Sequence, residues 1–248
     1  MRMGRTTFPQ LTRLLLSTAA VITLLAANSA SAFFVDFTDP IWIDGSSDPF
    51  GTRTRVVNGV EVKITAFKAN GDLGKLTFTS WDGGACPANS GLLCGNDGAG
   101  IGDDEVSFGV GGKTDVERLL VTFSRPVDVR GLHFLDLYRP NFAPDSSAAE
   151  VAQWQINGNG TGDSVAGDQM TTAIGGYRFA SVFYEDLDQI EFFADDAGSI
   201  TSPPNSDFSL AAIGVVPLPG AAWLFGSALF ILAGFNSRRG RPRAAQAA

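Results

Sequence analysis

The residues most able to do chemistry are acids. The stretch GNDGAGIGDDEV places Asn96, Asp97, Asp103, Asp104 and Glu105 in a glycine-rich turn, where carboxylate oxygens and backbone carbonyls can surround Ca²⁺. A structural calcium ion near Asp103 and Asp104, shared with Asp136 or Asp207 from across the fold, is one expectation. Solvated turn acids on a sheet are the other. A second stretch, NGNGTGDSVAGD from Asn157 to Asp168, has oxygen side chains at alternating positions and Gly162 sixth in a twelve-residue run. That spacing is reminiscent of an EF-hand loop, yet no acid stands first, no Glu stands twelfth and no helical pattern flanks it. His133 is the only histidine and sits between Leu132 and Phe134 in an alternating strand pattern, which reads as structural. No G-x-S-x-G elbow, H-E-x-x-H pair or phosphate-binding loop is present, so nucleophilic hydrolysis lacks its machinery. Glycoside hydrolysis needs only two carboxylates at the right separation, and 26 acids leave it open. Trp42, Trp81, Trp154 and Tyr138 offer flat rings that could stack on sugars, with core packing as the competing role.

Those residues lie between two oily, cation-flanked ends. Arg2, Arg5 and Arg13 precede an apolar run from Leu14 to Ala27, and NSASA then supplies small residues at Ala30 and Ala32. A core of that length is typical of a signal peptide and short of the roughly twenty residues that cross a bilayer. Residues 1–32 are therefore expected to be cleaved by signal peptidase between Ala32 and Phe33. At the other end no charge occurs between Asp207 and Arg238, and Arg238, Arg239, Arg241 and Arg243 follow. Gly220 to Phe235 would rise about 24 Å as a helix, and extending it back to Val215 brings it toward the roughly 30 Å of a hydrocarbon core. No polar face interrupts it, so a membrane helix is expected, with the arginines as a cytoplasmic stop-transfer signal. In an exported chain with two cysteines the default is one bridge, Cys86 to Cys94. Zinc would need two further soft ligands, and only His133 is on offer.

The C-terminal layout, VPLPG (Val216, Pro217, Leu218, Pro219, Gly220), then AAWLFGSALFILAGF, then arginines, resembles the PEP-CTERM sorting signal of Gram-negative bacteria in its VPLPA variant. The resemblance covers about thirty residues, with Gly220 in place of the usual alanine. It implies an exosortase as partner, a membrane transpeptidase that cuts near the motif, and export across the inner membrane with transient anchoring before display at the surface or release. The two prolines suit such a substrate, since both favour extended backbone over helix. Residues 215–248 form the expected sorting segment: motif 216–219, helix 220–235 and arginine-rich tail 236–248. The family's association with exopolysaccharide implies a non-enzymatic matrix or carbohydrate-binding role, and a secreted hydrolase using paired carboxylates is the alternative.

The ectodomain, residues 33–214, holds all 26 acids against eleven basic residues, a net charge of −15. That field repels nucleic acid and anionic membranes. Its pattern is β. In VVNGVEV, Asn58-Gly59 stands between β-branched runs, a strong hairpin signal because both turn positions need positive φ. Val60, Val62, Ile64 and Ala66 then alternate with Glu61, Lys63 and Thr65. Similar runs recur between Gly-, Asn-, Asp- and Pro-rich links with no helical period. Nine to eleven short strands point to an antiparallel β-sandwich of jelly-roll type; an outer-membrane barrel would need longer, less acidic strands. VERLLVTFSRPVDVRGLHFLDL reads as two strands joined through Arg125-Pro126, and resembles a strand pair of galactose-binding-like modules.

Overall fold

Asn58 and Gly59 adopt φ of 48° and 75°, so the tight turn expected from the dipeptide forms and joins β2 (Thr52–Val57) to β3 (Val60–Phe67), with Val57 opposite Val60. Along β3, Val60, Val62, Ile64 and Ala66 are fully buried while Glu61 and Lys63 are exposed. The computed structural model describes residues 32–43, 51–81, 85–102, 105–108, 116–138, 149–168, 175–194 and 206–217. The remaining strands are β1 (Phe33–Asp36), β4 (Leu76–Thr77), β5 (Gly100–Ile101), β6 (Val106–Phe108), β7 (Arg118–Leu135), β8 (Val151–Ile156), β9 (Asn159–Ala166), β10 (Arg178–Ala180), β11 (Tyr184–Ala194) and β12 (Ser206–Pro217). Among the described residues the protein is all-β, with every strand pairing antiparallel and a single 3₁₀ turn, Pro40–Trp42, capped by Asp39. The arrangement is consistent with a β-sandwich.

The eighteen-residue β7 organises it. Residues 118–123 pair with β3, residues 127–135 pair with β12, and β11 accompanies both halves. The stretch expected to be two strands is thus one strand that changes partners at Ser124 to Pro126. Pro126 has no N–H for a ladder, and it falls where none is needed. One half of the strand runs in a sheet ordered β2-β3-β7-β11-β8-β9, the other beside β12 and β1. The halves meet in an aromatic cluster: Phe134 lies 5.8 Å from Trp154, 6.1 Å from Phe192 and 5.5 Å from Phe208, contributed by β7, β8, β11 and β12.

The stretch with EF-hand-like spacing forms a second hairpin. Asn157 and Gly158 take φ of 48° and 71° and turn β8 into β9, with Ile156 opposite Asn159. The Asn157 side-chain oxygen accepts the N–H groups of Asp188 and Gln189 at 3.2 and 3.3 Å, so it holds β11 and does not face a cation. Gly162 is required by contact: a Cβ there would lie 2.1 Å from the Trp154 carbonyl oxygen.

The compact unit spans Ala32 to Pro217, and β12 carries Val215, Val216 and Pro217 in register with Val129, Asp128 and Val127. Val215 to Pro217 therefore belong to the sheet, which corrects the expectation that the membrane helix extends back to Val215. Ala30, Leu218, Pro219, Arg238, Arg239, Arg241 and Arg243 lie outside the described residues, as do both long apolar runs. Among the described residues no helix is long and apolar enough to cross a membrane.

Candidate functional site

Beyond the aromatic core, the sheet carries a second small apolar cluster. Leu135 of β7 and Ala211 and Ala212 of β12 are covered by Leu92, with Trp81, Cys94 and Tyr177 packed alongside. Leu92 belongs to the loop closed by the Cys86–Cys94 disulfide, whose Cα atoms are 5.8 Å apart. The loop is stitched to the end of β1. Leu93 N–H donates to Asp36 Oδ2 at 2.9 Å, Cys94 N–H to Thr38 Oγ1 at 2.9 Å and Gly95 N–H to the Thr38 carbonyl at 2.9 Å. Burial raises the Asp36 pKa, with the donors from Thr38 and Leu93 opposing it.

Between this loop and the outer face of β7 lies an open groove of about 380 Å³, within the size range of small-ligand sites. Its floor is His133, buried at 4 % exposure, with Nδ1 2.8 Å from the Tyr177 hydroxyl. Phe34 meets the imidazole edge-on at 5.3 Å and Phe179 lies against it at 4.8 Å. Burial lowers the His133 pKa to about 4, so the ring is neutral near pH 7 and supplies no charge. Burial likewise raises the Tyr177 pKa. At the rim, Phe34 and Phe179 remain 44 % and 46 % exposed, and Arg130 stacks its guanidinium 3.5 Å from the ring centre of Phe183, itself 52 % exposed.

Arg130 reaches the rim because of a bulge. Gly131 pairs with Gly214 and Val129 with Val215, which leaves Arg130 as the extra residue on β7. The side-chain phase shifts there: Val127 and Val129 face the core before it, Leu132 and Phe134 after it. That shift turns His133 and Leu135 onto the opposite face.

No protein-family model and no curated protein matches this chain. Its site is therefore read from its own geometry, which redistributes the expected residues. Trp42 is 1 % exposed and packs on Phe37 and Phe78 in the core. Trp154 is 2 % exposed and donates its indole N–H to Tyr184 at 2.9 Å. Neither can serve as a sugar platform. Trp81 is half-buried on the second cluster. Tyr138 adjoins Glu150 instead of the groove, its N–H donating to Glu150 Oε2. Ala32 and Phe33, flanking the expected cleavage bond, sit at the groove's edge.

Asp103 and Asp104 lie outside the described residues. Asp136 and Asp207 do come together, around Glu150, which is 4 % exposed. Among the described residues no group of three or more His, Cys, Asp or Glu is arranged to hold a metal. Desolvation, then the Asp207 charge, push the Glu150 pKa far above its ordinary 4.5, and the two side chains share a hydrogen bond. A hydrogen-bonded pair is closer than the roughly 5 Å or more that glycosidase carboxylates keep to admit a sugar. This pair holds the chain together at the start of β8 and β12.

These two buried groups give stability a pH dependence of opposite signs. His133 is held below its ordinary 6.5, so its contribution is complete above pH 6.5 and is lost as pH falls toward about 4. Glu150 is held above 4.5, so its contribution is complete below pH 4.5 and is lost as pH rises through neutrality. Between pH 4.5 and 6.5 the two slopes oppose each other, and thermal unfolding should show its maximum in or near that window with a decline on either side. Glu150→Gln should flatten the alkaline decline; an unchanged decline would refute the assignment to Glu150.

The groove residues Phe34, Asn89, Arg130, Tyr177 and Phe179 were not singled out by sequence. The available signal was the switch of apolar phase across VDVRGLHF, which marks a bulge at the one position where a cation interrupts it.

Proposed function

We propose that the chain is an exported surface or matrix protein whose jelly-roll-like ectodomain binds saccharide through the aromatic groove without transforming it. The exposed rings of Phe34 and Phe179 against a neutral, buried His133 carry this reading: flat apolar surfaces suit pyranose faces, and nothing charged in the floor is poised for proton transfer at neutral pH. The signal-like start and the PEP-CTERM-like end support delivery by signal peptidase and an exosortase-type transpeptidase.

Because Val216 and Pro217 are paired within β12, replacing them would damage the sheet as well as the motif. The cleaner test changes only Leu218 and Pro219 to alanine. A larger, membrane-retained form in fractionated cells is the expected result, and an unchanged product would remove the sorting reading. Binding itself is tested on a glycan array, where Phe179→Ala should abolish retention without loss of fold. Released reducing sugar from any arrayed glycan would instead favour a hydrolase.

A further inference from the structure

Arg130 is a cation with an unused face. Its guanidinium rests on Phe183 at 3.5 Å, and the two ion pairs among the described residues, Arg118 with Glu191 and Arg178 with Asp168, do not involve it. The bulge that sets it outside the ladder aims it at the groove rim. Asn89, at φ 62° on the disulfide loop, lines the same groove. Its carboxamide presents two donors and an acceptor. A stacked guanidinium keeps its planar fork free for a carboxylate.

We infer that the groove takes a single uronate residue within an otherwise neutral glycan, its carboxylate on Arg130, its ring against Phe34 and Phe179, and its hydroxyls on Asn89. The inference rests on the saccharide reading above and names the sugar. Two observations set the number of charges at one. Among the described residues the groove presents one cation, and the domain around it carries a net charge of −15, which disfavours a run of carboxylates while leaving a close ion pair attractive within a Debye length of about 8 Å at physiological salt.

The test is calorimetric titration of the full chain with four probes: a neutral hexose oligosaccharide, the same oligosaccharide ending in one glucuronate, the methyl ester of that glucuronate, and tetragalacturonate. The single-glucuronate probe should bind at least about tenfold tighter than its ester or its neutral parent, the gain expected of one charge-assisted contact, and tighter than tetragalacturonate. Arg130→Gln should erase that preference, bringing the acid's affinity to that of the ester in the same variant. Arg130→Lys, which keeps charge but loses the planar fork, should retain part of it. Equal binding of acid and ester, a preference that survives Arg130→Gln, or tightest binding of tetragalacturonate would overturn the uronate assignment with saccharide binding intact. Binding of none of the four would overturn the saccharide reading and this inference together.

Discussion

Phe134→Ala should lower the unfolding free energy by about 3–5 kcal/mol, the range for deleting a buried aromatic ring. Phe134 is fully buried and touches Trp154, Phe192 and Phe208, so three large rings lose a partner at once. Those rings come from three strands, β8, β11 and β12, and cannot collapse together into the space without moving their ladders. The cost therefore falls toward the upper end, because residual cavity volume rather than transfer energy decides the spread at fixed chemistry. Denaturant unfolding monitored by tryptophan fluorescence reads it directly. A loss below about 1 kcal/mol would mean that the two halves of β7 do not share one core.

Cys86→Ala with Cys94→Ala should cost about 2.6 kcal/mol on the chain-entropy account of so small a ring. The loss acts mainly on the unfolded chain, since the folded loop keeps the hydrogen bonds that Leu93, Cys94 and Gly95 make to Asp36 and Thr38. For a domain of this size the melting temperature should fall by roughly 5–10 °C, and adding reductant to the native protein should give the same shift. Thiol labelling of the native protein without reductant should find no free cysteine. Labelling, or a melt insensitive to reductant, would contradict the bridge.

The fold was legible where one physical requirement dominated. Asn58-Gly59 could be read because a two-residue turn needs positive φ twice and few residue pairs supply it. The same dipeptide at Asn157-Gly158 carried no equally plain hairpin signal, because oxygen side chains at alternating positions fit a strand's wet face as well as a calcium loop. What separates the two is the pairing of Ile156 with Asn159, a tertiary fact. Pro126 looked like a break because it lacks a ladder donor; the structure places it at a change of partner, where continuity costs nothing. β1 was missed because FFVD is short and follows the small residues of the expected cleavage site. The groove was hidden for a different reason. Phe34, Asn89, Arg130 and Phe179 lie on four separate segments with no shared spacing, and the tryptophans drew attention by size, which is also what sends Trp42 and Trp154 inward. The disulfide, by contrast, needed only a count of two.

Phe33 pairs with Val215, so the polypeptide enters and leaves the domain on adjacent strands, and Val215 also faces the bulge from which Arg130 projects. A tether leaving beyond Pro217 and a sugar gripped at Arg130 would thus pull on points only a few residues apart. On the proposed function, tension between an anchored cell and its surrounding polymer would run through that short corner and bypass the interior around Phe134. Mechanical failure and thermal failure of this protein would then begin in different places.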